Sequence, residues 1–293
     1  MEKKVRSDNI SKILISVILV SYSFILISLL VWAVLSSLKS EFDFQYNKIG
    51  LPKAFSILNY QEAFRLFKLE VKLPSGGVYT AYIENMYLNS ILYAGGCAFT
   101  ATLVPCITSY IVARFKFKPL KIIYYIVIVC MVVPLVGTLP AQLRMAERFG
   151  LNEHIWGMWI MTGHFLGLYF LVFYSSFKMI PKDFDEAAKI DGANNFTVMI
   201  RIILPLVMNI FFTIYLIHFI QFWNDYQTPL LFIKTKPTIS YGLYAYDRSN
   251  EKGSSNTPMK LAGCILVFIP VFIVFMIFHK RMMGNLSMGG LKE

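Results

Sequence analysis

The chain has 293 residues, of which 56% are hydrophobic and only 15% charged, with a formal net charge of +11. Mean hydropathy is +0.57. Soluble domains run near 45–50% apolar and about 25% charged, so a water-soluble enzyme, a disordered chain and a disulfide-stapled secreted module are excluded. What remains is a polytopic membrane protein, whose excess of cations would point to nucleic acid on a soluble chain and to orientation in a membrane.

Lys3, Lys4, Arg6 and Lys12 precede an apolar run from Ile13 to Leu35. The run outlasts the apolar region of about 7–15 residues in a cleaved signal, so it reads as a retained spanning helix. A long polar connection, residues 36–89, follows. Within it Val71-Lys72-Leu73 and Val78-Tyr79-Thr80 alternate around Pro74-Ser75-Gly76-Gly77, which predicts a small β-hairpin. Five further apolar runs cover Ser90–Ala113, Leu120–Leu139, Ile155–Phe177, Ile202–Phe222 and Leu261–Phe278. Each is near the roughly 20 residues that span a bilayer as a helix. Pro105, Pro134 and Pro270 fall inside or near the ends of three runs, which membrane helices tolerate. The runs do not alternate, so a β-barrel is excluded.

Placing the N-terminus in the cytoplasm puts 15 of the 28 Lys and Arg on the cytoplasmic side, in the shorter connections and tails. Arg114, Lys116, Lys118 and Lys121 crowd one short connection. The positive-inside rule therefore predicts both termini in the cytoplasm and accounts for most of the charge. No basic face with interleaved aromatics points to nucleic acid. Cys97, Cys106, Cys130 and Cys264 lie in apolar runs and read as small hydrophobes. His154, His164, His218 and His279 are scattered, so no metal site is expected. There is no P-loop, H-E-x-x-H, G-x-S-x-G or G-x-G-x-x-G pattern.

The connection at 178–205 is polar and strongly patterned. It begins Pro181-Lys182-Asp183-Phe184-Asp185-Glu186-Ala187-Ala188-Lys189-Ile190-Asp191-Gly192-Ala193. This predicts a short helix, a break and a second helix. Pro181 suits a first helical turn, and Asp183, Asp185 and Glu186 suit the positive end of the helix dipole. Gly192 supplies a positive φ that ends the helix. Ala187 and Ala188 keep a face flat, and Phe184, Ile190 and Phe196 offer apolar anchors for another surface.

Glu186, Ala187, Ala188, Gly192, Ile202, Leu204 and Pro205 stand at the spacing E-A-A-x-x-x-G-x(9)-I-x-L-P. This resembles the signature of permease subunits of bacterial ABC importers. Asp191-Gly192-Ala193, Asn89-Ser90, Tyr110 to Arg114-Phe115, Phe222-Trp223-Asn224-Asp225 and the glycine-rich tail from Asn285 to Lys292 look like the carbohydrate-uptake, MalG-type branch. Two features depart from it. Val207-Met208-Asn209 stands where many relatives have a second proline, and the external segment Leu69–Tyr82 is longer than usual.

The resemblance implies an all-α fold of six transmembrane helices, that of a type I ABC importer permease. Residues 1–12 would be a cytoplasmic tail and 13–293 the transmembrane domain, with an external loop at 36–89 and a coupling loop at 178–205. The chain would be non-catalytic and sit in the bacterial cytoplasmic membrane. It would pair with a homologous MalF-like permease subunit, two ATP-binding cassette subunits and an extracellular solute-binding protein. ATP and Mg would bind those cassette subunits and no cofactor this chain. Asp185, Glu186, Ala187, Ala188, Asp191, Gly192 and Ala193 would meet an ATPase. Substrate-path candidates come from polar and aromatic groups of the fifth apolar run and its end: Asn209, Tyr215, His218, Gln221, Trp223, Asn224 and Asp225. His218, Gln221 and Asp225 fall on one helical face, and Tyr215 and Trp223 could stack on sugar rings. His164 reads as interhelical packing. External Arg144, Arg148, Lys234 and Lys236 would suit acidic oligosaccharides, although loop cations are more often merely solvated. The alternatives are an importer of a non-sugar solute and a secondary transporter. The latter usually shows internal repeats, and none is evident here.

Overall fold

The computed structural model describes residues 2–73, 76–115, 117–133, 137–248 and 256–283. Lys116, Pro134, the Pro74-Ser75 turn and the tail from Asn285 lie outside the described residues. The chain divides into two compact units. Residues 1–67 and 245–268 form one, and 68–244 and 269–293 the other.

The first unit is built on helix α1 (Glu2–Ser37), whose residues 12–31 are all exposed. Helices α2 (Glu41–Tyr46) and α3 (Leu58–Leu66) follow. Backbone carbonyls left open at the end of α1 find partners here. Asn59 Nδ2 donates to the carbonyls of Ser37 and Lys39, both at 2.7 Å. Trp32 Nε1 donates to Lys48 O at 2.8 Å, and the buried Lys39 Nζ to Asn47 O at 2.6 Å. The polar connection after α1 is thus folded structure fastened to the helix end.

The second unit opens with the expected hairpin, β1 (Lys68–Lys72) paired antiparallel with β2 (Val78–Tyr82), Val71 opposite Tyr79. Helix α4 (Ile83–Arg114) follows without a break. It therefore starts before the predicted Ser90, because residues 84–89 contain no Gly or Pro to stop its turns. The chain continues through α5 (Leu120–Val132), α6 (Leu139–Arg148), α7 (Ile155–Thr162), α8 (Leu168–Met179), α9 (Asp183–Ile190) and α10 (Asn195–Thr197). A π-helical turn (Val198–Ile203) joins α10 to α11 (Leu204–Asn224), and α12 (Gln227–Phe232) comes next. Helices α13 (Ile239–Arg248) and α14 (Thr257–Met283) complete the described elements.

Helix α4 is the hub of this unit and packs against α7, α8 and α11. Ala94, Ala98, Thr102 and Cys106 recur every fourth residue and are all buried. Small residues at that spacing let helices approach closely where lipid offers no hydrophobic drive. Cys97 and Cys106 are buried as expected, while Cys264 is exposed on α14.

Among the described residues four helical stretches are long and apolar enough to cross a membrane: Lys12–Ser37, Ile83–Arg114, Asn195–Asn224 and Thr257–Phe278. The predicted run Leu120–Leu139 contributes only the shorter helix α5. The predicted run Ile155–Phe177 is not one helix. It divides at residues 163–167, where Gly167 takes φ 134°, a conformation only glycine adopts without strain. The second helix predicted for the 178–205 connection has no end of its own but merges with the next spanning stretch. The π-helical turn lies just before Pro205, which has no N–H to donate and whose ring crowds the preceding turn.

Candidate functional site

The loop that carries the sequence signature is a capped, outward-facing element. Helix α9 follows its N-cap Lys182, so Pro181 lies just before the helix and not in its first turn. Asp183, Asp185 and Glu186 occupy the first turn, as the helix dipole favours. At the other end the N–H of Gly192 bonds Lys189 O at 3.1 Å and that of Ala193 bonds Ala188 O at 2.9 Å. These two bonds form a Schellman motif, and Gly192 has the positive φ (81°) the motif requires. Asn194 then accepts from Thr197 N at 2.8 Å and starts the next helix. The spacing A-x-x-x-G-A thus places the cap residues where the chain must reverse.

The loop has two faces. Ala188 is buried with Tyr110, Phe177, Val198 and Ile203, and Ala193 packs against the same cluster. The expected flat outer face therefore belongs to Ala187 alone, because Ala188 must close the cap contact with Ala193. Asp185 also turns inward. Its Oδ2 lies 3.5 Å from Arg114 Nε, and Arg114 Nη1 donates to Ile180 O at 3.0 Å. The end of α4 is thereby tied to both ends of the connection leading into α9. Glu186, Ala187, Asp191 and Gly192 face outward, and Ile190 is 86% exposed, Phe196 66% and Phe184 46%. The capped, anchored turn thus holds three large apolar side chains in the open.

A second site lies among α4, α6, α7, α8, α11 and α12. A cavity of about 460 Å³ is lined by His164, Tyr169, His218 and Gln221, with Gln142 and Gln227 also on its wall. Its size suits a small molecule. His218 Nδ1 lies 3.0 Å from Thr102 Oγ1, and the Tyr169 ring meets it edge-on at 4.6 Å. Of the substrate-path candidates, His218 and Gln221 line this cavity. The other five do not. Asn209 is nine residues before His218, about 180° around the helix. Tyr215 stacks on Phe219, and Trp223 is buried against Phe219 and Tyr87. Asn224 donates to Ile220 O. Asp225 lies beyond the end of α11, where the helical phase is lost. Its carboxylate accepts from Tyr93 Oη and from the N–H groups of Gln227 and Thr228. His164, read from the sequence as packing, is on the wall because the break in the fourth apolar run carries it there.

A clasp closes the other end of this unit. Thr235 N and Oγ1 both donate to Glu153 Oε2, at 2.8 and 2.6 Å. Tyr79 Oη donates to Thr235 O, Asn89 Nδ2 to Pro237 O, and Ile239 N to Ser90 Oγ. Burial, and then the Glu153 charge, raise the Tyr79 and Tyr241 phenols above their ordinary value. Asn89-Ser90, noted as part of the family resemblance, thus holds a distant loop by its backbone.

Residues 106–283 match the family model of the binding-protein-dependent transport system inner membrane component. The chain belongs to this family. The match contains the capped loop, the cavity-lining histidines and Arg114. Among curated relatives, the chain is 25% identical over 276 residues to the diacetylchitobiose uptake system permease protein NgcG of Streptomyces coelicolor, covering 93% of this chain and 86% of that protein. It is 26% identical over 262 residues to the melibiose/raffinose/stachyose import permease protein MelC of Bacillus subtilis, covering 88% of each. Among solved structures, a bacterial ABC transporter that imports the acidic polysaccharide alginate has a chain with the same fold. Its TM-score is 0.72 at 23% identity, with 94% of this chain and 97% of that one covered.

Proposed function

We propose that the chain is the non-catalytic, six-span permease subunit of a carbohydrate importer in a bacterial cytoplasmic membrane, both termini cytoplasmic. Residues 1–12 form a tail and 13–293 the transmembrane domain. The two crossings beyond the four long spans are α5 and the broken pair α7–α8. A broken crossing is tolerated where its irregular backbone lines a cavity, and His164 and Gly167 do line one. The observation that carries the reading is the capped loop with Ile190, Phe196 and Phe184 outward. Such a turn suits a cleft on an ATP-binding cassette subunit, where Glu186, Ala187, Asp191 and Gly192 meet the partner and Asp185, Ala188 and Ala193 hold the turn in shape. ATP and Mg belong to the two cassette subunits. The homologous second permease subunit and the extracellular solute-binding protein complete the assembly.

ATP binding closes the cassettes and shifts the seated loop. Because π-helical turn and α11 continue the loop without a joint, the shift passes directly to the helix bearing His218 and Gln221. Energy enters only through the difference in contacts between the inward- and outward-open states. The names of NgcG, MelC and the multiple sugar-binding permease MsmG of Streptococcus mutans support an oligosaccharide as cargo. The test is uptake by vesicles containing the whole assembly, with binding protein loaded with neutral or acidic oligosaccharides. Uptake that needs both ATP and a loaded binding protein is expected. Uptake driven by an ion gradient without ATP would refute the reading.

A further inference from the structure

The positive-inside rule explains how many cations this chain carries, but not where five of them meet. A second cavity, of about 540 Å³, lies where the last turns of α4 and α8 meet the first turn of α5. Arg114, Lys118, Lys121, Lys178 and Lys182 line it, and among the described residues no carboxylate does. Among the described residues the four lysines make no ion pair. Arg114 is the buried member. Its side chain is 5% exposed, and its Nη2 has no hydrogen-bond partner. Asp185 meets only the Nε side, without a hydrogen bond. Nη2 has no accessible surface, so Arg114 stands behind the wall and adds its charge to that of the four lysines.

The rest of the lining sets the kind of anion. Tyr124 and Tyr174 lie with ring centroids 4.8 Å apart, and Lys178 Nζ stands 5.6 Å from the Tyr174 centroid. Beside the cavity the outer face of α5 is apolar and open, with Ile122 60% and Val129 58% exposed. A ligand would thus have its charge among cations and its remainder along a lipid-facing helix. Helices α4, α5 and α8 all end or begin at this level, which puts it at the boundary between hydrocarbon and headgroups. We propose that this cavity binds the phosphodiester headgroup of an anionic phospholipid. The lipid lies against α5 and caps the junction through which Arg114 holds the connection into α9. Basic pockets between spanning helices are suited to such headgroups. The assignment needs only a membrane-embedded chain and stands apart from the coupling role and the cargo.

The test uses the full chain, purified with its co-expressed partners and exchanged into nanodiscs of phosphatidylcholine alone or mixed equally with phosphatidylglycerol. Lipid retained after return to detergent is counted by native mass spectrometry. The wild type retains phosphatidylglycerol over phosphatidylcholine. The variant Lys118→Gln/Lys121→Gln/Lys178→Gln loses this preference, by about fivefold per lysine and on the order of 100-fold in all. The variant Lys48→Gln/Lys53→Gln keeps it. Unchanged retention by the triple variant overturns the proposal. If the triple variant fails to fold, amine labelling of the wild type decides instead. Protection of Lys118, Lys121 and Lys178 by phosphatidylglycerol supports the site, and equal labelling in both lipids overturns it. Protection by inorganic phosphate in lipid-free detergent, with none from phosphatidylglycerol, assigns the site to a soluble phosphate and overturns the lipid.

Discussion

Removing Asp185 tests how the signature loop is held. The perturbation is Asp185→Ala, which leaves the Arg114 guanidinium at 5% exposure with only the Ile180 carbonyl as partner. At the 3.5 Å separation, two unit charges attract by about 5 kcal/mol at an effective dielectric of about 20. Desolvation cancels part of that. The pair also lacks a hydrogen bond, and Asp185 is 19% exposed. The expected cost is therefore about 2–3 kcal/mol, below the roughly 3–5 kcal/mol of a fully buried pair broken on one side. Arg114→Leu should cost less, about 1–2 kcal/mol, because the orphaned carboxylate can reach water. The assay is a double-mutant cycle on unfolding in mixed micelles, together with basal and stimulated ATP hydrolysis of the assembled importer. The cycle should give a coupling of about 1–3 kcal/mol. The Asp185→Ala assembly should hydrolyse ATP with weakened dependence on the binding protein. Costs that add within about 0.5 kcal/mol would refute the anchoring role.

Other predictions follow from the same geometry. Gly192→Ala places a side chain at φ 81°, which should cost about 1–2 kcal/mol and slow uptake. Gly192→Pro should abolish coupled transport while the chain still inserts, and normal uptake by reconstituted vesicles would contradict this. His218→Leu and Gln221→Ala should raise the KM for uptake several-fold at unchanged membrane abundance. A fall in abundance alone would make the cavity wall mere packing. Tyr79→Phe removes one donor of the clasp and should cost about 1 kcal/mol. The phenols of Tyr79 and Tyr241 titrate above their ordinary value of 10.0, so the folded state favours their protonated form. That contribution is complete below pH 10.0 and is lost as pH rises through the folded value. Melting profiles should show no clasp-dependent loss between about pH 7 and pH 9, and a Tyr79-dependent loss in that window would contradict the reasoning.

Some of this architecture is legible in the residues alone, because it depends on local chemistry. The hairpin follows from alternation around a turn, and the break at Gly192 from a cap that only a few neighbours decide. The division of the fourth apolar run is not legible, because glycine is frequent in membrane helices and its presence does not mark a break. That break brings His164 to the cavity. Asp225 misleads for a related reason. Helical spacing puts it in phase with His218, but the helix ends one residue earlier and the carboxylate caps α12. Ala188 has the same composition as a docking face and is buried by the cap geometry instead. The clasp is invisible to any local reading, since Ser90 and Ile239 meet through a backbone N–H far apart in the chain.

The central claim is that the outer face of the 183–197 turn seats in an ATPase subunit. Cysteine cross-linking in the assembled importer tests it most directly, with Cys264 replaced by Ser because it is exposed. Ile190→Cys, at the most exposed apolar position of the turn, should cross-link to the ATPase subunit in a manner that changes with ATP. Ile122→Cys, on the open face of α5, should not. Cross-links from Ile122→Cys but none from Ile190→Cys, Phe184→Cys or Phe196→Cys would contradict the account.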